Sequence, residues 1–377
     1  MKLNRHSRMA GAAAVMGALA LTLAACGSDN NTTPGASGSS ADTSASASGG
    51  TSLSGELVGA GSSAQEKAMD AWRAGFQNAN PDVTVSYDPI GSGGGRTKFI
   101  SGATDFAGSD AALSGDEISK ADARCAPGTA MDLPVYISPI AIVYNLPSVK
   151  DLQLSPDTIA KIFDNKITTW DDPAIKADNP DATLPSDPIV MVHRSDESGT
   201  THNFTDYLAQ AAPDAWPYKA SGDWPNNGGQ SAQGTSGIIQ TVQGAKGTIS
   251  YADASQAGSL GVAKVKVGDT YVAYTADAAA AVVADSPRDT SRAAGDIVVN
   301  IDRKTTDPTH YPIVLLSYQI ACTSYQDQAT ADKVKAWLTW VSSSEGQQAG
   351  SQASGSAPIS DALRADIQKS IDMISAG

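Results

Sequence analysis

PIVMVHRSDESGTTHNF, residues 188–204, runs from an apolar stretch through an arginine and two acids into small hydroxyl residues and a glycine. Ile189 to Val192 read as a strand, and Phe204 with Leu208, four positions apart, mark the core face of a helix. The segment between them, SDESGT, is then a loop between a strand end and a helix start. Two chemistries compete for it. A serine nucleophile on a strained elbow needs a glycine two positions ahead, whereas Ser198 follows Asp196 and Glu197. An anion cradle needs backbone N–H groups that can be approached closely, hydroxyl donors and the positive end of a helix. Ser198, Gly199 and Thr200 meet that description.

The same order of elements appears elsewhere. ELVGAGSS (56–63) is a strand entering a Gly/Ser turn, after which Ala68, Trp72 and Phe76 recur at helical spacing until Asn80-Pro81. VTVSY (83–87) alternates as a strand and enters the glycine loop GSGGG (91–95), and a further helical stretch leads to TDFAGSD (104–110). SGIIQTVQGAKGTISY (236–251) gives a helix ending near Gly244 and a strand, and VAKVKVGDTYVAY (262–274) a hairpin turning at Gly268-Asp269. Strand, glycine loop and helix in repetition is the pattern of an α/β fold with its loops at the carboxyl ends of the strands. The length after residue 54 exceeds what one core usually holds, so two domains are expected. The long apolar runs LPVYISPIAIVYNL (133–146) and YPIVLLSYQIAC (311–322) are the segments that can pass between them. A late helix carrying Val334, Trp337, Leu338 and Val341 is expected to pack back on the first domain.

Residues 1–25 have a basic start (Lys2, Arg5, Arg8), an apolar run and small residues before Cys26, the features of an export leader. LAAC resembles a bacterial lipobox, so Cys26 is expected to carry lipid. Residues 27–54 hold almost nothing apolar and read as a flexible tether, giving a head anchored outside the cytoplasmic membrane only through lipid. In that oxidising compartment the remaining pair, Cys125 and Cys322, is expected to form a disulfide. The net charge is −14, and loss of Lys2, Arg5 and Arg8 with the leader takes it to −17. So acidic a chain is a poor partner for nucleic acid or anionic lipid, and an anionic ligand has to be held by local dipoles and placed cations.

Four loops share the glycine and hydroxyl character: GAGSS (59–63), GSGGG (91–95), GSD (108–110) and RSDESGT (194–200). Each alone is no more than a helix cap, but together they suit a small tetrahedral oxyanion. GSGGGRTK is not a nucleotide-binding P-loop, because Arg96 and Thr97 stand where glycine and lysine are required. His193 and His202 match no metal-ligand spacing, and no cofactor or metal is expected.

GAGSS, YDPIGSGGG, DFAGSDAAL and RSDESGTTHNFTDYL, in this order, resemble the motifs of the PstS family, the phosphate-binding proteins of high-affinity phosphate ABC transporters. KIFDNKITTWDDPAI, GTISYAD and YPIVLLSYQI extend the resemblance over nearly the whole body. It implies a two-lobed type II periplasmic-binding-protein fold, each lobe a mixed sheet flanked by helices, joined by two crossing strands. Residues 55–136 with 310–377 would form lobe I and residues 137–309 lobe II. It also implies a monomeric, non-enzymatic receptor that delivers phosphate to membrane permease subunits. The phosphate ligands would be Ser63 and the Ala64 backbone, Ser92, Asp110, Arg194, Ser198, Gly199 and Thr200, with Asp196 holding Arg194. Arg194 would be the one cation and Asp110 an acceptor for the proton of phosphate. Ser63 and Ala64 stand where the family often has threonine and phenylalanine. Glu197 replaces a frequent glycine, and its side chain is expected to point outward or to pair with Arg194 or a lysine. The remaining alternatives are a receptor for sulfate or molybdate, and a phosphate-ester hydrolase using Ser198 or Ser63.

Overall fold

A computed structural model describes residues 52–377, and the expected leader, the Cys26 expected to carry lipid and nearly all of the expected tether lie outside the described residues. Strands and helices alternate from the first described element: β1 (Gly55–Gly61), α1 (Glu66–Ala79), β2 (Val83–Asp88), α2 (Ser92–Ile100), β3 (Phe106–Ser109), α3 (Asp116–Cys125) and the long β4 (Ala130–Tyr144). Next come β5 (Gln153–Leu154), α4 (Pro156–Phe163), α5 (Pro173–Asp178), β6 (Val190–Arg194), α6 (Gly199–Ala211), β7 (Gln230–Ala232), α7 (Gly234–Gly244) and β8 (Thr248–Asp253). The hairpin region holds β9 (Gly261–Val262), β10 (Lys264–Val267) and β11 (Thr270–Val272), followed by α8 (Ala276–Asp285). The chain then enters β12 (Val314–Cys322) and closes with β13 (Ser324–Tyr325), α9 (Gln328–Ser342), α10 (Ser344–Ser354), α11 (Asp361–Asp372) and β14 (Ser375–Ala376).

The main sheet runs in the order β2-β1-β3-β12-β4-β8-β6-β7, with β9 also on β4. One half is the parallel set β2, β1, β3; the other is the parallel set β8, β6, β7; and the antiparallel pair β12 and β4 stands between them. Every residue of β4 and β12 is buried, as befits central strands covered on both faces. β4 carries two prolines, which cannot donate to a ladder, and each marks an irregularity. Pro134 lies at a register shift opposite Ser317 and Tyr318, and Pro139 is the last residue to face β12 before β4 turns to β8 at Ile140. The two apolar runs of the sequence are therefore the paired strands at the junction.

Each half has its own aromatic core. In the first, Phe76 of α1 and Phe106 of β3 both meet Trp337 of α9 at 5.5 Å between ring centroids, so the late helix packs where the sequence placed it. In the second, Phe204 stacks on Tyr251 at 4.4 Å and Phe163 abuts Phe204 at 4.7 Å. These contacts fix α6 against β8 and hence the loop that follows Arg194.

One segment departs from expectation. GSGGG begins helix α2 at Ser92 instead of forming a free loop, despite three consecutive glycines of poor helix propensity. Close packing explains it: a Cβ on Gly95 would collide with the backbone of Ala60 and Gly61, and one on Gly93 with the Glu197 carboxylate.

Cys125 at the end of α3 and Cys322 at the end of β12 are joined as a disulfide, with Cα atoms 5.2 Å apart and 197 positions between them in sequence. A loop of that length restricts the unfolded chain by about 5 kcal/mol on chain-entropy grounds. Replacing both cysteines by serine is expected to lower the urea midpoint and to steepen the slope, because the unlinked unfolded chain is less compact, which equilibrium unfolding followed by tryptophan fluorescence would measure.

Candidate functional site

The loops that leave β1, β2, β3 and β6 at their carboxyl ends meet at the junction of the two halves. At their centre is Asp110, only 3% exposed. Its Oδ1 accepts from Ser317 at 2.9 Å and its Oδ2 from Thr200 at 3.2 Å. Its N–H donates to Ser92 Oγ at 3.1 Å and its carbonyl accepts from Asn203 Nδ2 at 2.6 Å. Gly199 lies so close that a Cβ there would strike Asp110 and Ser92. Ser92, Asp110, Gly199 and Thr200, four of the expected ligands, thus form one contiguous cluster drawn from both halves.

Arg194, equally buried, ends β6. Asp196 accepts from its Nε at 2.8 Å and from Nη2, while Nη1 has no protein acceptor among the described residues. The Asp196 carboxylate also takes the Gly234 N–H at 3.1 Å. The arginine backbone N–H donates to Tyr251 Oη at 3.3 Å, and that hydroxyl pairs with Thr201 Oγ1 at 2.7 Å. Ser198 caps α6, its Oγ accepting from Thr201 N–H at 3.2 Å. Ser63 faces the start of α7, where the Thr235 N–H donates to its Oγ at 3.1 Å. The Ala64 N–H is engaged locally by Ser62 Oγ at 3.1 Å. The amino ends of α2, α6 and α7 thereby border the cluster and bring positive dipole ends to it.

The titration of these groups follows from burial. Burial raises the Asp110 pKa, against the lowering effects of hydrogen bonds from Ser62, Ser317 and Thr200 and of the Arg194 charge. Burial acts in the same direction on Asp196, but there the Arg194 guanidinium and the Gly234 N–H outweigh it and the net shift is downward. Burial pushes the Tyr251 hydroxyl up to about 12, so it stays a donor.

Several residues here were not singled out by sequence. Ser317, Thr235 and Tyr251 come from distant segments, and of these only Ser317 left a trace, as a lone hydroxyl inside an apolar run, while Asn203 lies within the stretch 188–204 itself. Arg194 is not the one cation nearby. Arg96, 7% exposed, donates to Ser109 Oγ at 3.0 Å beside Asp110 and to Glu117 at 2.9 Å. Glu197 pairs with Arg96 at 3.0 Å rather than with Arg194 or a lysine, because α2 brings that guanidinium to the loop. His193 stacks on Trp224 at 5.0 Å, and burial lowers its pKa.

A family model for the PBP superfamily domain matches residues 44–345. The chain is 38% identical over 380 residues to phosphate-binding protein PstS 3 of Mycobacterium tuberculosis (strain ATCC 25618 / H37Rv), covering 99% of this chain and 100% of that protein. The chain belongs to the PstS family of the PBP superfamily. Phosphate-binding protein PstS2 of Mycobacterium bovis (strain BCG / Pasteur 1173P2) is 35% identical over 379 residues, covering 98% of this chain and all of its own. The fold matches a high affinity periplasmic phosphate-binding protein solved with phosphate, at a TM-score of 0.69 and 21% identity over 84% of this chain and 93% of that one. An ancestral soluble variant of the human phosphate binding protein gives 0.70 and 19% identity over the same shares. The mixed α/β fold of this PstS family member is thus shared with solved phosphate-binding proteins.

Below the cluster, Asp253 ends β8 fully buried, accepting from the Tyr136 hydroxyl at 3.2 Å and the Ser255 N–H at 2.9 Å. Burial lifts its pKa to about 6, opposed by hydrogen bonds from Ser255 and Ser138 and helped by the Asp110 charge. A carboxyl whose folded pKa is raised stabilises the fold fully below its unfolded value and loses that contribution as pH rises through the folded value. Stability is therefore expected to fall between about pH 4 and pH 6 by roughly 2–3 kcal/mol from this group. Asp253→Asn should flatten that slope and leave the protein more stable than the parent at pH 7.5, as urea titrations across pH would show.

Proposed function

We propose that this chain binds inorganic phosphate between its two halves and delivers it to the permease subunits of an ABC importer. The observation that carries this reading is the buried Asp110 carboxylate surrounded by donors. Near neutral pH phosphate bears at least one proton, which a carboxylate accepts, while its other oxygens need the donors gathered here. Sulfate has no such proton and would set two acceptors face to face, a cost of several kcal/mol. Molybdate as the dianion meets the same objection. The names of the relatives support phosphate as the ligand.

In this reading Arg194, steered by Asp196, grips the anion with its unpaired Nη1, and Ser63, Ala64, Ser92, Ser198, Gly199 and Thr200 supply hydroxyl and backbone donors. Residues 55–136 and 310–377 form lobe I and residues 137–309 lobe II, with β4 and β12 as the connection. The head works as a monomer outside the cytoplasmic membrane, held there by lipid on Cys26. Ser198 spends its oxygen on a helix cap and Ser63 meets Thr235, so neither serine is coupled to a base, which favours a receptor over a hydrolase.

Calorimetric titration of the protein, freed of bound anion by unfolding and refolding, is expected to show tight phosphate binding and no heat with sulfate. Arg194→Ala should weaken phosphate about 100-fold or more, the scale of a lost charged hydrogen-bond pair. Asp110→Asn should weaken phosphate and let sulfate bind measurably. Parental affinity and selectivity in both variants would remove the site assignment, and turnover of a chromogenic phosphomonoester would restore the hydrolase.

A further inference from the structure

Arg96 and Glu197 sit on opposite halves, Arg96 on α2 and Glu197 on the loop between β6 and α6. Their charged ends meet at 3.0 Å beside a cavity of about 980 Å³ that both residues line together with Asp110. The guanidinium is fixed before the halves meet, because Glu117 and Ser109, both of the first half, hold Nε and Nη1. Its side chain is 8% exposed and that of Glu197 31%. The acid is also enclosed by glycine on both sides: a Cβ on Gly93 of the first half would strike its Oε2, and one on Gly222 of the second its Oε1. The Gly222 carbonyl in turn accepts the Ser198 N–H at 3.0 Å, tying this slot to the start of α6.

We propose that the Arg96–Glu197 ion pair is a latch that holds the two halves together and slows release of the bound anion. The proposal rests on the reading of the cleft as a phosphate site. Pairs that are wholly buried often return little, because both ions must be dehydrated. Here Arg96 already has Glu117 and Ser109 as partners in its own half, so Glu197 adds attraction across the cleft to a guanidinium whose burial is partly compensated. Opening separates the charges and returns Glu197 to water. Glu197 is a positioning residue in this scheme and does not touch the anion.

Breaking a partly buried charge pair acts mainly on dissociation, whereas rim charges act on encounter. Stopped-flow kinetics on the full protein, with phosphate as the probe, should show Glu197→Gln raising the release rate about tenfold with association within about threefold. Glu117→Gln removes a partner of the same arginine without crossing the cleft and should leave release within about twofold. Unchanged release in Glu197→Gln, or equal acceleration in both variants, would overturn the latch.

A second measurement is independent of the ligand. Spin labels at Lys120→Cys and Asp214→Cys, exposed positions on the two halves, report separation in the anion-free protein. Glu197→Gln should move the distance distribution outward, and an unmoved distribution overturns the proposal. Absence of phosphate binding by the parent protein would instead refute the phosphate reading, leaving these distances to judge the latch.

Discussion

A carboxylate buried among hydrogen-bond donors is the constraint on which this structure depends. Asp110 receives Ser317 from β12 and Thr200 from α6, and its backbone is tied to Ser92 of α2 and Asn203 of α6. Bringing donors from β12 and α6 to its carboxylate while its own N–H reaches Ser92 of α2 requires those elements to end or bend at that point. The register shift beside Ser317, where β4 carries the extra residue Val135 next to a proline that cannot donate, is one such accommodation. The helix starts at Ser92 and Gly199 are two others. Each carboxylate oxygen has more acceptor capacity than one neighbour fills, so a partner that brings a proton completes the arrangement.

The overall field works against an anion, since the chain carries a net charge of −14. Attraction has to be local. Asp196 offsets much of the Arg194 charge while holding the guanidinium plane, so the arginine contributes direction at least as much as charge. The amino ends of three helices and the small hydroxyls supply the rest without adding a formal charge. A site built this way discriminates by where its donors and its one acceptor stand, and less by net attraction.

Much of this was legible in the sequence, and the reason lies in range. Phe204 with Leu208, or Trp72 with Phe76, announce helices through contacts four residues apart, and the strands before each glycine loop show as apolar runs. The junction strands showed as the two longest such runs. GSGGG reads as a loop because glycine weakens helices, and its helical state follows from Gly61, 34 positions from Gly95, and Glu197, 104 positions from Gly93. Arg96 registered only as a failed P-loop residue, and its partner lies 101 positions away. Local periodicity carries no information about such meetings.

The contacts that span the cleft explain how a receptor of this kind holds and releases its ligand. β4 and β12 are buried throughout and fully paired, so the halves stay joined there. Across the cleft, Ser63 accepts from the Thr235 N–H, Gln256 Nε2 donates to the Ser63 carbonyl at 3.1 Å, Lys67 Nζ donates to the Ser255 carbonyl at 2.6 Å, and Thr200 and Asn203 reach Asp110. All of these are hydrogen bonds that water replaces when the halves part, each worth about 1 kcal/mol net. Opening and closing therefore exchange protein–protein for protein–water hydrogen bonds at a small net cost. A ligand that bonds to both halves at once then decides between them, whereas a large apolar interface would keep the cleft shut whether or not the ligand was present.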